Sequence, residues 1–232
     1  ALSGYFGLVS FLDEQIGKIV AVFDELGMGA NTDIIYTSDH GDNLGSRGLW
    51  GKSTMYEEIA GVPLICVGQE FPKGTVVGTP TSHVDVFPTV LNIQGEPFPQ
   101  YKDTHPGTDL SEIAKGLEPQ RCVLSEYHGM GSRSSAFMIR VGSYKYVHYG
   151  NYEPQLFDLD ADPEELDDLA DKTEHAGALA MCRAKLFEML DPADVDRRAR
   201  ERQAELLALH GGREAVIARG DLGFTPAPGV VA

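Results

Sequence analysis

The chain has 232 residues, of which 42% are hydrophobic, so it can bury a sizeable core. Its 35 acidic and 19 basic residues give a net charge of −16, which argues against nucleic acid or an anionic membrane as the main partner. No apolar stretch is long enough to span a bilayer and no signal peptide is evident, so we expect a soluble protein.

The three cysteines are scattered and form neither a paired spacing nor a zinc pattern. Cys66, Cys122 and Cys182 each lie among apolar neighbours, which predicts buried, reduced thiols. Reduced thiols are typical of an intracellular protein, and we therefore expect a cytoplasmic location.

The N-terminal residues 1–26 carry apolar side chains at helical spacing, and Gly27 supplies a stop signal. This pattern predicts an amphipathic helix that lies on a sheet. Residues 33–38, which are β-branched and aromatic, then predict a buried strand of an α/β sheet.

Asp39 and His40 follow directly at the carboxyl end of that strand, where ligand crevices of open α/β sheets lie. A carboxylate beside a neutral imidazole suits a divalent cation. Glycines between residues 41 and 51 allow tight turns, and Lys52 returns a positive charge to the same neighbourhood. A cation and an ammonium together indicate an anionic substrate. The alternative is that Asp39 caps the following turn and His40 packs beneath it.

The next segments predict a short helix at 55–60, a buried strand at 62–67 and a short helix at 83–91 with Pro88 near its start. His83 and Asp85 invite a catalytic interpretation, but both residue types are common where a chain enters a helix, and we favour that structural role. Residues 95–119 lack periodicity and predict a surface connection between two subdomains.

From residue 121 onward, four short β-prone runs predict an antiparallel sheet, with Gly142-Ser143 as a hairpin turn. An acidic turn at 160–169 should lead into a short helix. Thr173 is a candidate cap for a helix that packs on the sheet, and Asp191 for a charged helix that ends at Gly211. The extended tail 220–232 predicts either docking on a second subunit, hence a homo-oligomer, or a frayed terminus.

Several of these motifs together resemble the sulfatase family of the alkaline-phosphatase superfamily. The resemblance rests on the segments 37–52, 56–65 and 83–91, in the order and spacing of that family, and on the acidic turn at 160–169. The Asp-His pair, together with the segments 126–129 and 211–215, is most similar to the branch of choline sulfatases and phosphonate monoester hydrolases. The resemblance implies the C-terminal part of an α/β/α sandwich plus a small antiparallel subdomain packed with a helix.

The family's sites imply roles for three residues. Asp39 and His40 match the later of its two metal-binding pairs, for calcium or manganese, and Lys52 matches a lysine that contacts the non-bridging oxygens of the ester. The family's nucleophile is a formylglycine made from a Cys/Ser-x-Pro-x-Arg motif, and no such motif occurs in these residues. We therefore expect a piece of a sulfatase-like hydrolase that lacks its nucleophile-bearing half, binds metal weakly and is inactive alone.

The domain boundaries that we predict are 1–119 for the α/β part with the metal segment, 120–190 for the antiparallel subdomain with its helix, and 191–232 for a tail. The expected activity of the intact protein is metal-dependent hydrolysis of a small anionic sulfate ester. The alternatives are a phosphonate or phosphate ester hydrolase of the same superfamily and a noncatalytic assembly module. Substrate preference would be set near Tyr127 and His128.

Overall fold

The computed structural model describes residues 1–96, 104–117, 121–129 and 132–220. Its first part contains four helices and a two-stranded sheet, and its second part contains a four-stranded sheet and three helices. The first part comprises α1 (Leu2–Glu25), β1 (Ile34–Thr37), α2 (Glu57–Ala60), β2 (Leu64–Val67), α3 (Val86–Ile93) and α4 (Leu110–Ala114). The second comprises β3 (Cys122–Tyr127), β4 (Ala136–Val141), β5 (Tyr144–Tyr149), β6 (Tyr152–Asp158), α5 (Ala176–Met189), α6 (Pro192–Leu209) and α7 (Gly212–Ala218).

The N-terminal helix α1 forms as predicted, and Gly27 follows it with a left-handed φ of 66°. However, α1 contains no buried residue. Phe6, Leu8 and Phe11 are each more than 60% exposed, at 62%, 68% and 61%. The expected packing of this helix on the sheet is therefore not observed in the described part of the chain, and α1 presents a bare apolar surface.

Strands β1 and β2 pair antiparallel, from Ile34 opposite Val67 to Thr37 opposite Leu64. Both strands lie where the sequence predicts them. Neither strand is buried as predicted: the residues of β1 are half-buried, and Ile65 and Val67 of β2 are exposed, because among the described residues each strand has only the other beside it. The pairing joins the two ends of segment 38–63, which contains the predicted site residues.

Residues 95–119 are not only a surface connection, contrary to the prediction. Within this stretch, Asp109 caps α4 by accepting a hydrogen bond from the Ser111 backbone N–H at 2.8 Å. Leu110 and Ile113 are buried and form a core cluster with Phe71. A helix of five residues is too short to show the periodicity on which the prediction depended.

The second sheet is antiparallel in the order β3-β4-β5-β6, as predicted, and Gly142 turns the β4–β5 hairpin with a φ of 58°. Helix α5 packs against this sheet. Their shared core is fully closed to solvent and consists of Phe137, Ile139, Tyr146, Leu156, Cys182 and Leu186, with Leu169 beside it.

The C-terminal helices follow the predictions in part. Asp191 caps α6 through hydrogen bonds from the backbone N–H groups of Ala193 and Asp194, at 3.0 and 3.4 Å. Helix α5 begins at Ala176, after a turn of 3-10 helix that starts at Thr173, so the predicted cap is displaced. The acidic segment 160–169 forms turns and not a helix, and α7 was not predicted. The predicted tail lies almost wholly outside the described residues.

The cysteines are all free thiols. Cys182 is fully buried as predicted, whereas Cys66 and Cys122 are only half-buried.

No helix among the described residues is both long and apolar enough to cross a membrane. The predicted domain boundaries stay a prediction.

A buried ionic group links the two parts of the chain. The Lys145 ammonium on β5 is fully buried and lies 2.9 Å from a carboxylate oxygen of Glu57 and 2.9 Å from one of Glu165. Glu165 also accepts a hydrogen bond from the Glu57 backbone N–H at 2.6 Å. Because Glu57 is the first residue of α2, this group fixes α2, which packs under the predicted site, to the second sheet.

Candidate functional site

Asp39 and His40 follow strand β1 directly, and their side chains converge. The Asp39 carboxylate lies 3.4 Å from His40 Nε2, and its other oxygen accepts the His40 backbone N–H at 3.0 Å. That backbone hydrogen bond is the main cause of a lowered pKa for the Asp39 carboxyl, and the positive charge of Lys52 contributes. The Asp39 side chain is 84% exposed, so its carboxylate is ionised and open to a ligand at neutral pH.

Lys52 lies next to the same imidazole, thirteen positions after Asp39 as the family pattern requires. Its ammonium is 2.8 Å from His40 Nε2. An ammonium has no acceptor, so Nε2 accepts and the ring proton is on Nδ1, which donates to the Gly41 carbonyl at 2.8 Å. The structure therefore brings Asp39, His40 and Lys52 together at one point.

The loop that carries Lys52 folds back because Asn43 and Asp42 close it. Asn43, which is 1% exposed, binds the Gly51 carbonyl through its backbone N–H at 2.9 Å and through its side-chain amide at 2.8 Å. The Asp42 carboxylate accepts from the backbone N–H groups of Leu44 and Gly51, at 2.8 and 3.2 Å. These contacts return the chain to the site at Lys52.

Gly41 is required where the loop begins. A Cβ atom at this position would lie 1.8 Å from the Glu58 carbonyl oxygen of α2, a backbone atom that a side-chain rotation cannot move away. The Gly41 backbone N–H donates to the Ile59 carbonyl at 3.0 Å, which holds α2 under the site. Helix α2 therefore supports the residues next to His40.

Arg47 ties the far side of the loop to the second part of the chain. Its guanidinium donates to Glu58 at 2.7 Å, lies 4.0 Å over the Tyr56 ring and binds the Glu164 carbonyl. Arg47 has a φ of 53°, a conformation that a non-glycine residue adopts only when its surroundings enforce it. No local pattern predicts this contact, because Arg47 and Glu164 are far apart along the chain.

His83 and Asp85 have different environments. Asp85 is fully buried, completes a capping box with Ser82 and forms an ion pair with Arg121, as its predicted structural role requires. His83 is exposed and its Nε2 lies 2.7 Å from the Ser38 carbonyl oxygen, one residue before Asp39. It therefore braces the end of β1, a contact that sequence reasoning missed.

The residues present fit a divalent cation as part of its coordination. The Nδ1–H of His40 is bound to a backbone carbonyl, which is the arrangement that orients metal-ligating histidines. Nε2 accepts from the Lys52 ammonium, so a metal ion bound at Nε2 would replace that contact. Among the residues that the structure describes, however, no group of three or more His, Cys, Asp or Glu side chains is arranged to hold a metal ion. The described residues at this point therefore offer a metal ion two donors, Asp39 and His40, and no third.

His128, a predicted substrate contact, has both ring nitrogens engaged. Nε2 is 2.9 Å from Glu126 and Nδ1 is 2.7 Å from the Ser135 hydroxyl. A histidine between a carboxylate and a serine hydroxyl is an arrangement that can activate a nucleophile, but Ser135 is 4% exposed and its hydroxyl donates to Asp196 at 2.5 Å. This group is therefore a structural network, and the role of His128 toward substrate stays a prediction.

A cleft of about 480 Å³ opens beside the site. Thr37 and His83 line the end that is near β1, and Glu57 and Arg140 are among its charged residues. Asp39, His40 and Lys52 do not line this cleft. The three convergent groups therefore lie outside this cleft, where the side chains of Asp39 and His40 are 84% and 37% exposed.

Comparison with known proteins identifies the class to which this fold and these residues belong. Residues 1–95 match the family model described as Sulfatase. Together with the relatives below, this match shows that the chain belongs to the sulfatase family, whose fold is that of the alkaline-phosphatase superfamily. The predicted family and fold class are confirmed.

Individual relatives have the following likenesses. The choline-sulfatase of Rhizobium meliloti is 39% identical over 167 residues, which are 72% of this chain and 32% of the relative. Human arylsulfatase K is 35% identical over 178 residues, 72% of this chain and 33% of the relative. The phosphonate monoester hydrolase of Silicibacter pomeroyi is 28% identical with a TM-score of 0.64, over 76% of this chain and 38% of that chain. The chain thus spans about a third of the length of the curated relatives that it matches.

Proposed function

We propose that this chain supplies one half of the active site of a metal-dependent sulfuric ester hydrolase. The observation that supports the proposal is the convergence of the Asp39 carboxylate, His40 Nε2 and Lys52 Nζ at the end of β1. The chain is similar to a choline-sulfatase and to arylsulfatase K over most of its length, and both relatives are sulfatases by name.

Asp39 and His40 would hold a calcium or manganese ion together with donors from outside the described residues. The bound metal would supply Lewis-acid and orienting chemistry. Lys52 would contact the non-bridging oxygens of the ester, where negative charge grows in the transition state and a fixed ammonium stabilises it. The formylglycine nucleophile, which the family resemblance implies, would likewise come from elsewhere.

The proposed substrate is a small anionic sulfate ester. A phosphonate or phosphate ester is the second candidate, because a phosphonate monoester hydrolase is among the structural neighbours at 28% identity. We further propose a cytoplasmic location, which the free state of all three cysteines supports. A homo-oligomer formed through the C-terminal tail remains part of the proposal.

The first experiment compares an aryl sulfate with an aryl phosphonate as substrates. The assay uses a polypeptide that includes these residues together with the remainder of the family's fold. We expect a higher kcat/KM for the sulfate. A large preference for the phosphonate would favour the phosphonate hydrolase over the sulfatase. If neither ester were turned over, the noncatalytic assembly module would be the remaining hypothesis.

The second experiment tests the residues. Asp39→Ala should lose bound metal and activity together while the circular dichroism spectrum is retained, because a ligand and not a core residue is removed. Lys52→Ala should keep its metal and lose about 10²- to 10³-fold in kcat, as expected for one transition-state donor. Asp171→Ala and Lys73→Ala, at exposed positions, are the matched controls. Unchanged metal content in Asp39→Ala would exclude the ligand assignment.

A further inference from the structure

The residue after Lys52 has an unusual backbone. Ser53 has a φ of 83°, in the region that favours glycine, although it is exposed and no glycine stands there. Non-glycine residues keep such a conformation only where contacts enforce it. Because Ser53 sets the direction in which the chain leaves Lys52, whatever holds Ser53 also holds the lysine.

One side chain from the second sheet makes that contact. The Tyr127 hydroxyl at the end of β3 donates to the Ser53 hydroxyl at 2.8 Å. These residues are far apart in sequence, and the hydrogen bond spans the two parts of the chain.

The position of the Tyr127 ring is fixed by packing on two sides. It packs against a core cluster that contains Met55, Ala136 and Met138. On another side, a Cβ atom at Gly129 would lie 3.1 Å from ring atoms of Tyr127, so the glycine leaves room for the ring. Packing therefore fixes the ring, and the ring fixes where its hydroxyl points.

We propose that Tyr127 is a positioning residue for Lys52: through Ser53 it holds the backbone from which the lysine ammonium reaches this site and points toward the anionic group of the substrate. The proposal rests on the function proposed above for Lys52. The Tyr127 hydroxyl contributes no charge and no proton to the reaction. Its effect is to keep Ser53 in the left-handed conformation that returns Lys52 to the site.

The test variant is Tyr127→Phe, which keeps the ring and its packing and removes only the hydroxyl. Tyr152→Phe, at a 57% exposed tyrosine of the same sheet, is the matched control. The first readout is the ¹⁵N chemical shift of His40 Nε2 in the 232-residue chain at fixed pH, assigned with His40→Gln. We expect Tyr127→Phe to move this shift toward the value in Lys52→Met, and Tyr152→Phe to leave it unchanged.

The second readout is a double-mutant cycle on kcat, in the polypeptide that includes the remainder of the fold. Tyr127→Phe should lower kcat about tenfold, with a smaller change in KM, and should cause no further loss in a Lys52→Ala background. A merely structural role would give additive losses. Ser53→Gly, which adopts a positive φ without strain, should restore part of the loss in Tyr127→Phe.

The outcomes separate this proposal from the proposed function. A wild-type His40 shift in Tyr127→Phe would overturn the positioning role, whatever the kinetics of Lys52→Ala. If Lys52→Ala keeps full kcat while the shift moves in Tyr127→Phe, the tether is correct and the transition-state role of Lys52 is wrong. Additive losses in the double variant would also contradict the proposal.

Discussion

Replacing Lys145 by methionine should strongly destabilise the chain. The ammonium is fully buried between Glu57 and Glu165, whose side chains are 29% and 0% exposed. Lys145→Met leaves the two carboxylates facing each other without a cation. Removing one partner of a buried ion pair costs about 3–5 kcal/mol, and the partial exposure of Glu57 places our expectation at about 3 kcal/mol.

The measurement is urea unfolding followed by far-ultraviolet circular dichroism, since Trp50 is 58% exposed and a poor reporter of the core. A loss of about 3 kcal/mol lowers Tm by roughly 6–12 °C in a chain of this size. Lys185→Met, which breaks an exposed pair with Glu188, is the matched control and should cost far less, because solvent screens that pair. Neutralising the deep carboxylate in Lys145→Met/Glu165→Gln should recover part of the loss.

The reasoning would be refuted if Lys145→Met cost no more than the exposed control. That result would mean that the carboxylates are solvated once the lysine is gone. A further loss on adding Glu165→Gln would also refute the reasoning, because the amide oxygen of glutamine can still accept the Glu57 backbone N–H and only the negative charge is removed.

Two other predictions concern the site and the core. Gly41→Ala should lower the free energy of unfolding in urea by about 2 kcal/mol, because the new Cβ would meet the Glu58 carbonyl. The control is Gly78→Ala, whose Cβ would have nothing within 4 Å and which should cost little. Equal costs for the two variants would contradict the close approach at Gly41. Burial lowers the pKa of His148 below its usual 6.5, so the unfolded chain binds more protons there and this contribution to stability is lost as pH falls below 6.5. His148→Gln should therefore flatten the decline in unfolding free energy between about pH 7 and 5; an unchanged slope would exclude His148 as its source.

Local signals in the sequence predicted the local structure. Asp191 before Pro192, the Gly142-Ser143 turn and the β-branched run before Asp39 each specify an element through neighbouring residues, and each element is present. Helix α4 was missed because its five residues show no period, although Leu110 and Ile113 are buried. The acidic segment 160–169 carries helix-forming residues, yet Glu165 has a φ of 52°, which no α-helix allows, and its carboxylate pairs with the distant Lys145.

The residues of the candidate site were predictable from the sequence, as the local elements were, but the residues that support them were not. Asp39, His40 and Lys52 belong to one short motif, and the structure brings them together. Their supports come from distant positions and leave no pattern in the sequence: Arg47 reaches Glu164, Tyr127 reaches Ser53, and Lys145 reaches Glu57. A single sequence shows which groups can do chemistry, but not which remote side chains hold them in place.

The pairing of Thr37 with Leu64 has a consequence for how the site opens. Backbone bonds between β1 and β2 close segment 38–63 into a loop, so much of the entropy of bringing its residues together is lost when these strands pair. Local unfolding of that pair would release the carboxylate, the imidazole and the ammonium in a single cooperative event. The proposed cation and anion contacts would therefore be coupled through one folding unit, and a change that loosens β1 or β2 would weaken both.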